Sequence, residues 1–260
     1  MNFFLALFSI FTVLVFPQPQ DGVQGAAGAD MRGADEQIFA LANEARAQAG
    51  VGRLQWDPAL AQAALAHCRR MVAEGPIAHR YGGEADLTGR AAQAGARFSM
   101  IEENVAIGPS GDAIHEEWMQ SPGHRANLLS PDVDHVGIAV VAARGVLYAV
   151  ADYSRSVQQM SAAQVEARVA ALVRVSGVTI LGDPRLAREA CQADEGMPRT
   201  ANGSKPLFIM RWQDSDLTRL PQALVDKLAS GNYRQAAVGS CAAQGQEGTF
   251  TAYRVAVLLY

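Results

Sequence analysis

The chain has 260 residues, of which 49% are hydrophobic and 18% charged, with a formal net charge of −4. That supplies enough apolar material for one large or two ordinary cores and excludes wholesale disorder. A negative balance with no dense Lys/Arg cluster also argues against nucleic acid as a default partner, because phosphate binding needs a basic surplus.

Phe3 to Phe16 is nearly all apolar. It is shorter than the roughly 20 residues a membrane-spanning helix needs, and suits the apolar core of a secretory signal. No Lys or Arg precedes it, the first basic residue being Arg32, and no clear Ala-x-Ala cleavage site follows, although Gly25-Ala26-Ala27-Gly28-Ala29 supplies small residues. The expectation is export to a secreted or periplasmic location, with retention as an N-terminal anchor left open. Residues 1–32 read as this segment plus a Gly/Ala-rich linker.

Asp35 to Gln48 carries Ile38, Leu41, Ala42 and Ala45 on one helical face. Leu54-Gln55-Trp56 reads as a short link. Asp57-Pro58 then opens an Ala-rich helix, with Asp as cap and Pro in the first turn. It ends near Ala73, before Gly75-Pro76. Asp86 to Gly95 reads as a short helix, and Glu102 to Ala106 leads into a Gly108-Pro109-Ser110-Gly111 loop. Asp112 to Gln120 is helical, Ser121-Pro122-Gly123 breaks it, and His124 to Leu129 forms a further turn. Val136 to Ala142 and Val146 to Tyr153 read as a hairpin around Ala143-Arg144-Gly145. Helices first and a hairpin last predict an α+β layered domain over residues 33–157.

Residues 160–260 read as a second, smaller α/β domain. Ala162 to Val175 is helical, Asp183-Pro184 opens another helix, and Pro206 to Trp212 is a strand. Pro221 to Ser230 is a helix, and Tyr233 to Ala242 with Thr249 to Tyr260 forms a hairpin. Three matches recur in one order. They join Asp57-Pro58 with Asp183-Pro184, Ser121-Pro122-Gly123-His124-Arg125 with Ser230-Gly231-Asn232-Tyr233-Arg234, and Val136-Gly137 with Val238-Gly239. The second part is therefore either a degenerate copy of the first or an unrelated domain with similar helix starts.

All five histidines, His67, His79, His115, His124 and His135, lie in the first domain. His67 reads as structural or exposed, His115 as a solvated helix residue and His135 as a turn residue. His79 and His124 differ, each sitting at a chain break beside an Arg. Glu103-Asn104 supplies a carboxylate and an amide between them. Two imidazoles and one carboxylate can hold zinc with an open position, or can form a hydrogen-bonded polar cluster. Trp118, Ile114 and Leu128 read as core. No Gly-x-Ser-x-Gly elbow supports serine catalysis. Of the three cysteines, Cys191 and Cys241 share the second domain and are expected to pair, leaving Cys68 free. Asn202-Gly203-Ser204 fits a glycosylation acceptor, a pattern too short to weigh.

The set His79, Glu103-Asn104-Val105-Ala106, Trp118 through Leu129 and Val136-Gly137-Ile138-Ala139 resembles the bacterial branch of the CAP superfamily. That superfamily comprises cysteine-rich secretory, antigen 5 and pathogenesis-related proteins, also called SCP-domain proteins. The resemblance covers about Asp35 to Val157 and implies a three-layer α-β-α sandwich. It also implies a cavity of two His and two Glu that can bind a divalent metal such as Zn2+. His79 and His124 match the two His, and Glu103 matches one Glu. Ser121 stands where the second Glu belongs, and Glu102 stands in place of a Gly. The resemblance implies cavity residues His79, Glu103, His124, Asn104 and Ser121, with His79, His124 and Glu103 as the metal set. It points to an exported binding or interaction module for a small apolar ligand (lipid or sterol), a metal, or a cell-envelope partner. The alternative is an exported metal-dependent hydrolase, protease-like, using the same cavity. No catalytic residue is assigned.

Overall fold

The computed structural model describes residues 24–193, 195–196, 205–243 and 250–260. The apolar Phe3–Phe16 segment and Asn202-Gly203-Ser204 lie outside them.

Helix α1 (Gln24–Gln48) starts earlier than its expected beginning at Asp35. The stretch read as linker holds Ala26, Ala27 and Ala29, and alanine's helix propensity outweighs its glycines. A two-residue strand, β1 (Gln55–Trp56), replaces the expected link. Helix α2 (Pro58–Glu74) follows, capped by Asp57, whose carboxylate accepts from the Ala59 and Leu60 amides. Next come α3 (Leu87–Gln93), β2 (Phe98–Gly108), α4 (Gly111–Gln120), α5 (Pro122–Leu128), β3 (His135–Ala143) and β4 (Val146–Ser156). Strand β2 corrects the sequence reading, which placed only a lead-in to a loop there. Its run Ser99, Glu102, Glu103, Asn104 breaks hydrophobic alternation, so period-2 patterning could not reveal it.

The sheet order is β1-β3-β4-β2, with β1 parallel to β3 and the other pairs antiparallel. Successive side chains face opposite layers. Val105, Ala139, Tyr148 and Val150 meet Ala64, Cys68 and Met71 of α2. Ala106, Ile138, Ala149, Ala151 and Tyr153 meet Ile38 and Ala42 of α1, Ile114 and Trp118 of α4, and Leu128 of α5. Ile114, Trp118 and Leu128 are fully buried, as expected of core residues. The sheet thus lies between two helical layers, an α-β-α sandwich. Gly137 lets α2 lie directly on β3, because a Cβ there would overlap the backbone of Leu60 and Ala61.

The second part contains α6 (Ala162–Arg174), β5 (Thr179–Ile180), α7 (Arg185–Gln192), β6 (Phe208–Asp214), α8 (Gln222–Ala229), β7 (Gln235–Cys241) and β8 (Tyr253–Leu259). Its sheet, β5-β7-β8-β6, repeats the order and strand directions of the first. Gly239 repeats the role of Gly137, since a Cβ there would overlap the backbone of Ala187 and Arg188 in α7. The recurring sequence matches therefore belong to a smaller copy of one topology. Cys191 and Cys241 form the expected disulfide, with Cα atoms 5.8 Å apart, and Cys68 is free.

Candidate functional site

Glu103 sits on β2, an edge strand of the first sheet, in register with Asp152 of β4, which in turn pairs with Gly137 of β3. By strand parity both carboxyls face the α2 layer, beside Val105 and Val150. The segment between α2 and α3 folds over this edge. His67 of α2 anchors it: Nε2 lies 2.9 Å from the Ala78 carbonyl and Nδ1 lies 2.8 Å from Glu84 Oε1. Glu84 also accepts from the Tyr81 amide. His67, expected to be structural or exposed, is fully buried and holds the loop that carries His79.

Two groups use the Glu103 carboxylate. His79 Nδ1 is 2.8 Å from Oε1, and Arg90 Nη2 of α3 donates to Oε2. Arg90 Nη1 donates to the His79 carbonyl at 3.1 Å, so one guanidinium positions both partners. The hydrogen bond to Glu103 raises the His79 imidazole above its usual range, against partial burial. Asp152 is completely buried, and neither of its oxygens accepts a hydrogen bond from the described residues. Burial, and then the Glu103 charge, push its carboxyl well above the usual carboxylate range. The raised carboxyl of Asp152 favours its neutral form behind Glu103.

On the opposite layer, Ser121 joins α4 to α5 without capping α5 through its hydroxyl, and His124 occupies the first turn of α5. Asn104 projects to this side. Its Nδ2 donates to the His124 carbonyl at 2.9 Å, and its Oδ1 accepts from Asn127 at 3.0 Å. Asn127 also donates to the Glu103 carbonyl. The His124 ring is half-buried. Burial lowers it from the usual imidazole range, and the nearby His79 acts in the same direction. Its buried Nδ1 has no hydrogen-bond partner among the described residues.

The structure therefore joins His79 directly to Glu103 and ties His124 to the same strand edge through its backbone. The His124 ring is bonded to neither. The expected three-ligand zinc set is not assembled, because Arg90 occupies the carboxylate oxygen that a cation would need. Among the described residues, no group of three or more His, Cys, Asp or Glu side chains is placed to hold a metal ion. With its one carboxylate held by His79 and Arg90, this donor set does not fit zinc as arranged.

Residues 39–153 match the model of the cysteine-rich secretory protein family, CAP. This segment is a CAP domain. Over 110 residues the chain is 33% identical to the membrane protein YlbC of Bacillus subtilis (strain 168), covering 41% of this chain and 31% of that one. It is 29% identical over 111 residues to the B. subtilis protein YkwD, covering 41% and 42%. The chain thus spans less than half the length of the curated relatives it matches. Among solved structures, an extracellular SCP-domain protein from Bacillus anthracis str. Ames shares 25% identity at a TM-score of 0.47. That match covers 55% of this chain and 45% of the other.

The other histidines of the CAP domain stay out of this cluster. His115 is half-buried, not solvated as expected, and its Nε2 has no partner among the described residues. His135 is the first residue of β3 and pairs with Asp134 at 2.8 Å. Sequence reasoning missed His67, Glu84, Arg90 and Asp152. Asp152 carried a usable signal, an acidic residue inside the apolar run Val146 to Tyr153 where a charge is costly. Arg90 carried none, since a basic residue in a short helix ordinarily reads as solvated.

Proposed function

We propose that the chain is an exported CAP-domain binding module. In this reading, the polar cluster at the β2 edge recognises an extracellular ligand or a cell-envelope partner without catalysing a reaction. The observation that carries it is the full commitment of Glu103 to His79 and Arg90, with Asp152 neutral behind it. A carboxylate general base needs a free oxygen, and Glu103 offers none. The exposed His79 ring is left as a polar contact for a ligand.

Export is supported by the Phe3–Phe16 segment and by the Cys191–Cys241 disulfide, which belongs in an oxidising compartment. No helix among the described residues is long and apolar enough to cross a membrane.

Native mass spectrometry and metal analysis of the full chain, purified without added metal, test the reading. The expected result is a small organic ligand or stable partner that co-purifies and is lost in His79→Ala, with no stoichiometric zinc. Stoichiometric zinc together with a hydrolytic activity that disappears in His124→Ala would overturn it.

A further inference from the structure

The two sheets meet near the start of β2. The Thr251 amide, just ahead of β8, donates to the Phe98 carbonyl at 2.8 Å. Phe250 packs edge-on against Phe98, with ring centroids 5.6 Å apart. Phe98 is fully buried and braces Phe250, which stays 39% exposed. Beside this contact lies a cleft of about 340 Å3, where the start of β2, the end of β6 and the approach to β8 converge. Ser99, Gln213, Asp214, Ser215, Phe250 and Thr251 line it. The volume lies at the low end of small-molecule sites, which often form where two packed units join.

Phe250 is the one large apolar group of this lining, and polar side chains supply most of the rest. They are within reach of a guest: Asp214 is exposed, and Ser99, Ser215 and Thr251 are half-exposed. Asp214 Oδ1 accepts from the Asp216 amide, while its Oδ2 and the three hydroxyls bond to no described residue. These groups narrow the chemistry of the guest. A lipid chain would strand them without partners. Asp214 is the only charged residue of the lining, and it repels an anion. A cation would bring donors alone, whereas hydroxyls need acceptors as well. A neutral guest with several hydroxyls and one apolar face meets every group.

We propose that this cleft binds a neutral pyranose sugar. A C–H face of the sugar lies on the Phe250 ring, whose own face is electron-rich. The sugar hydroxyls bond to Asp214 Oδ2 and to the hydroxyls of Ser99, Ser215 and Thr251. Each sheet supplies one wall, so the second sheet completes a site that the first lacks alone. No lining residue belongs to the His79–Glu103 cluster, and Glu103 lies four residues further along β2. The site therefore stands whether or not the proposed function holds.

The test is an NMR titration of the isotope-labelled full chain with glucose, N-acetylglucosamine and cellotriose, and with glucose 6-phosphate and choline as charged controls. The expected result is saturable shifts of the amides near Ser99, Asp214 and Thr251 with at least one neutral sugar, and none with either control. Tighter binding of cellotriose than of glucose marks a sugar chain as the source, and equal binding marks a free sugar. Phe250→Ala should weaken binding about tenfold, the loss of the stacking ring. Asp214→Ala removes an exposed carboxylate, so it should weaken binding at least about tenfold with the thermal midpoint kept. The proposal is overturned if no neutral sugar binds saturably, if the shifts lie elsewhere, if a charged control binds as tightly, or if folded Phe250→Ala and Asp214→Ala bind like the parent chain.

Discussion

Replacing Asp152 by Asn tests the neutral state of this buried carboxyl directly. Asp152 is fully buried and in register with Glu103. Burial and the Glu103 charge raise its carboxyl from an ordinary value of 3.8. In the folded state it therefore keeps a proton that the unfolded chain releases. The folded state binds more protons across this window, so stability falls as pH rises from the unfolded value toward the folded one. The slope for a single such group is about 1.4 kcal/mol per pH unit. Asparagine has the same shape and does not titrate. The free-energy difference between Asp152→Asn and the parent chain should therefore grow in the variant's favour by about 1.4 kcal/mol per unit above about pH 4. It should level off at the folded-state pKa. Urea unfolding followed by circular dichroism at a series of pH values measures it. A difference that stays flat with pH would refute the reasoning, as would a variant destabilised at every pH. Either result would mean that Asp152 is ionised and paired in the fold.

Arg90→Met removes the cation between Glu103 and Glu84, whose side chains are 3% and 8% exposed, and should cost about 3–5 kcal/mol in urea unfolding. Adding Glu103→Gln should recover a large part of that loss, because the stranded charge is then gone. Histidine NMR should place His79 above its usual 6.5 and His124 below it, with His79 falling back in Glu103→Gln. The His79 contribution to stability is present below 6.5 and lost as pH rises through the folded value, a trend absent from His79→Gln. Thiol titration of the unfolded chain should count one thiol without reductant and three with it. In the folded chain Cys68 should resist alkylation, since burial pushes its thiol up to about 12 and its Sγ donates to the Tyr148 carbonyl. Gly137→Ala and Gly239→Ala should each unfold their own sheet, detected as separate losses of amide protection, because each Cβ would meet helix backbone that cannot move aside.

Helix starts and the hairpins were legible because they rest on local chemistry. Asp57-Pro58 caps α2 through short-range hydrogen bonds, and Gly145 at φ 78° turns the β3–β4 hairpin. Glu103, His79 and His124 were legible through the family pattern. What the sequence hides is which atoms meet. Arg90 reaches Glu103 only because α3 packs beside β2, a contact no spacing encodes. Arg46 is a parallel case. It reads as a polar residue on α1, yet it is buried and donates to the carbonyls of Gly52, Leu128, Ser130 and Val133. A long-range side chain that satisfies loop carbonyls leaves no periodic trace.

The two sheets supply an internal control for the meaning of the polar cluster. Matching Gly137 to Gly239 by their shared contact with the overlying helix aligns the strands across both sheets. Gly137 pairs with Asp152 and Asp152 with Glu103, whereas Gly239 pairs with Ala256 and Ala256 with Arg211. Ala256 is completely buried in an apolar cluster with Ala187, Ala190 and Leu258. At the position of Glu103, Arg211 reaches along the α7 layer to the Ala190 and Gly196 carbonyls. The same topology thus closes with a methyl group where the CAP domain buries a carboxyl. Burying Asp152 beside Glu103 is costly, and the fold does not require it. A costly polar cluster that the topology can do without is better understood as a site than as a structural element. The second sheet keeps the glycine and carries no acid at either matching position, so the polar cluster belongs to the first sheet alone.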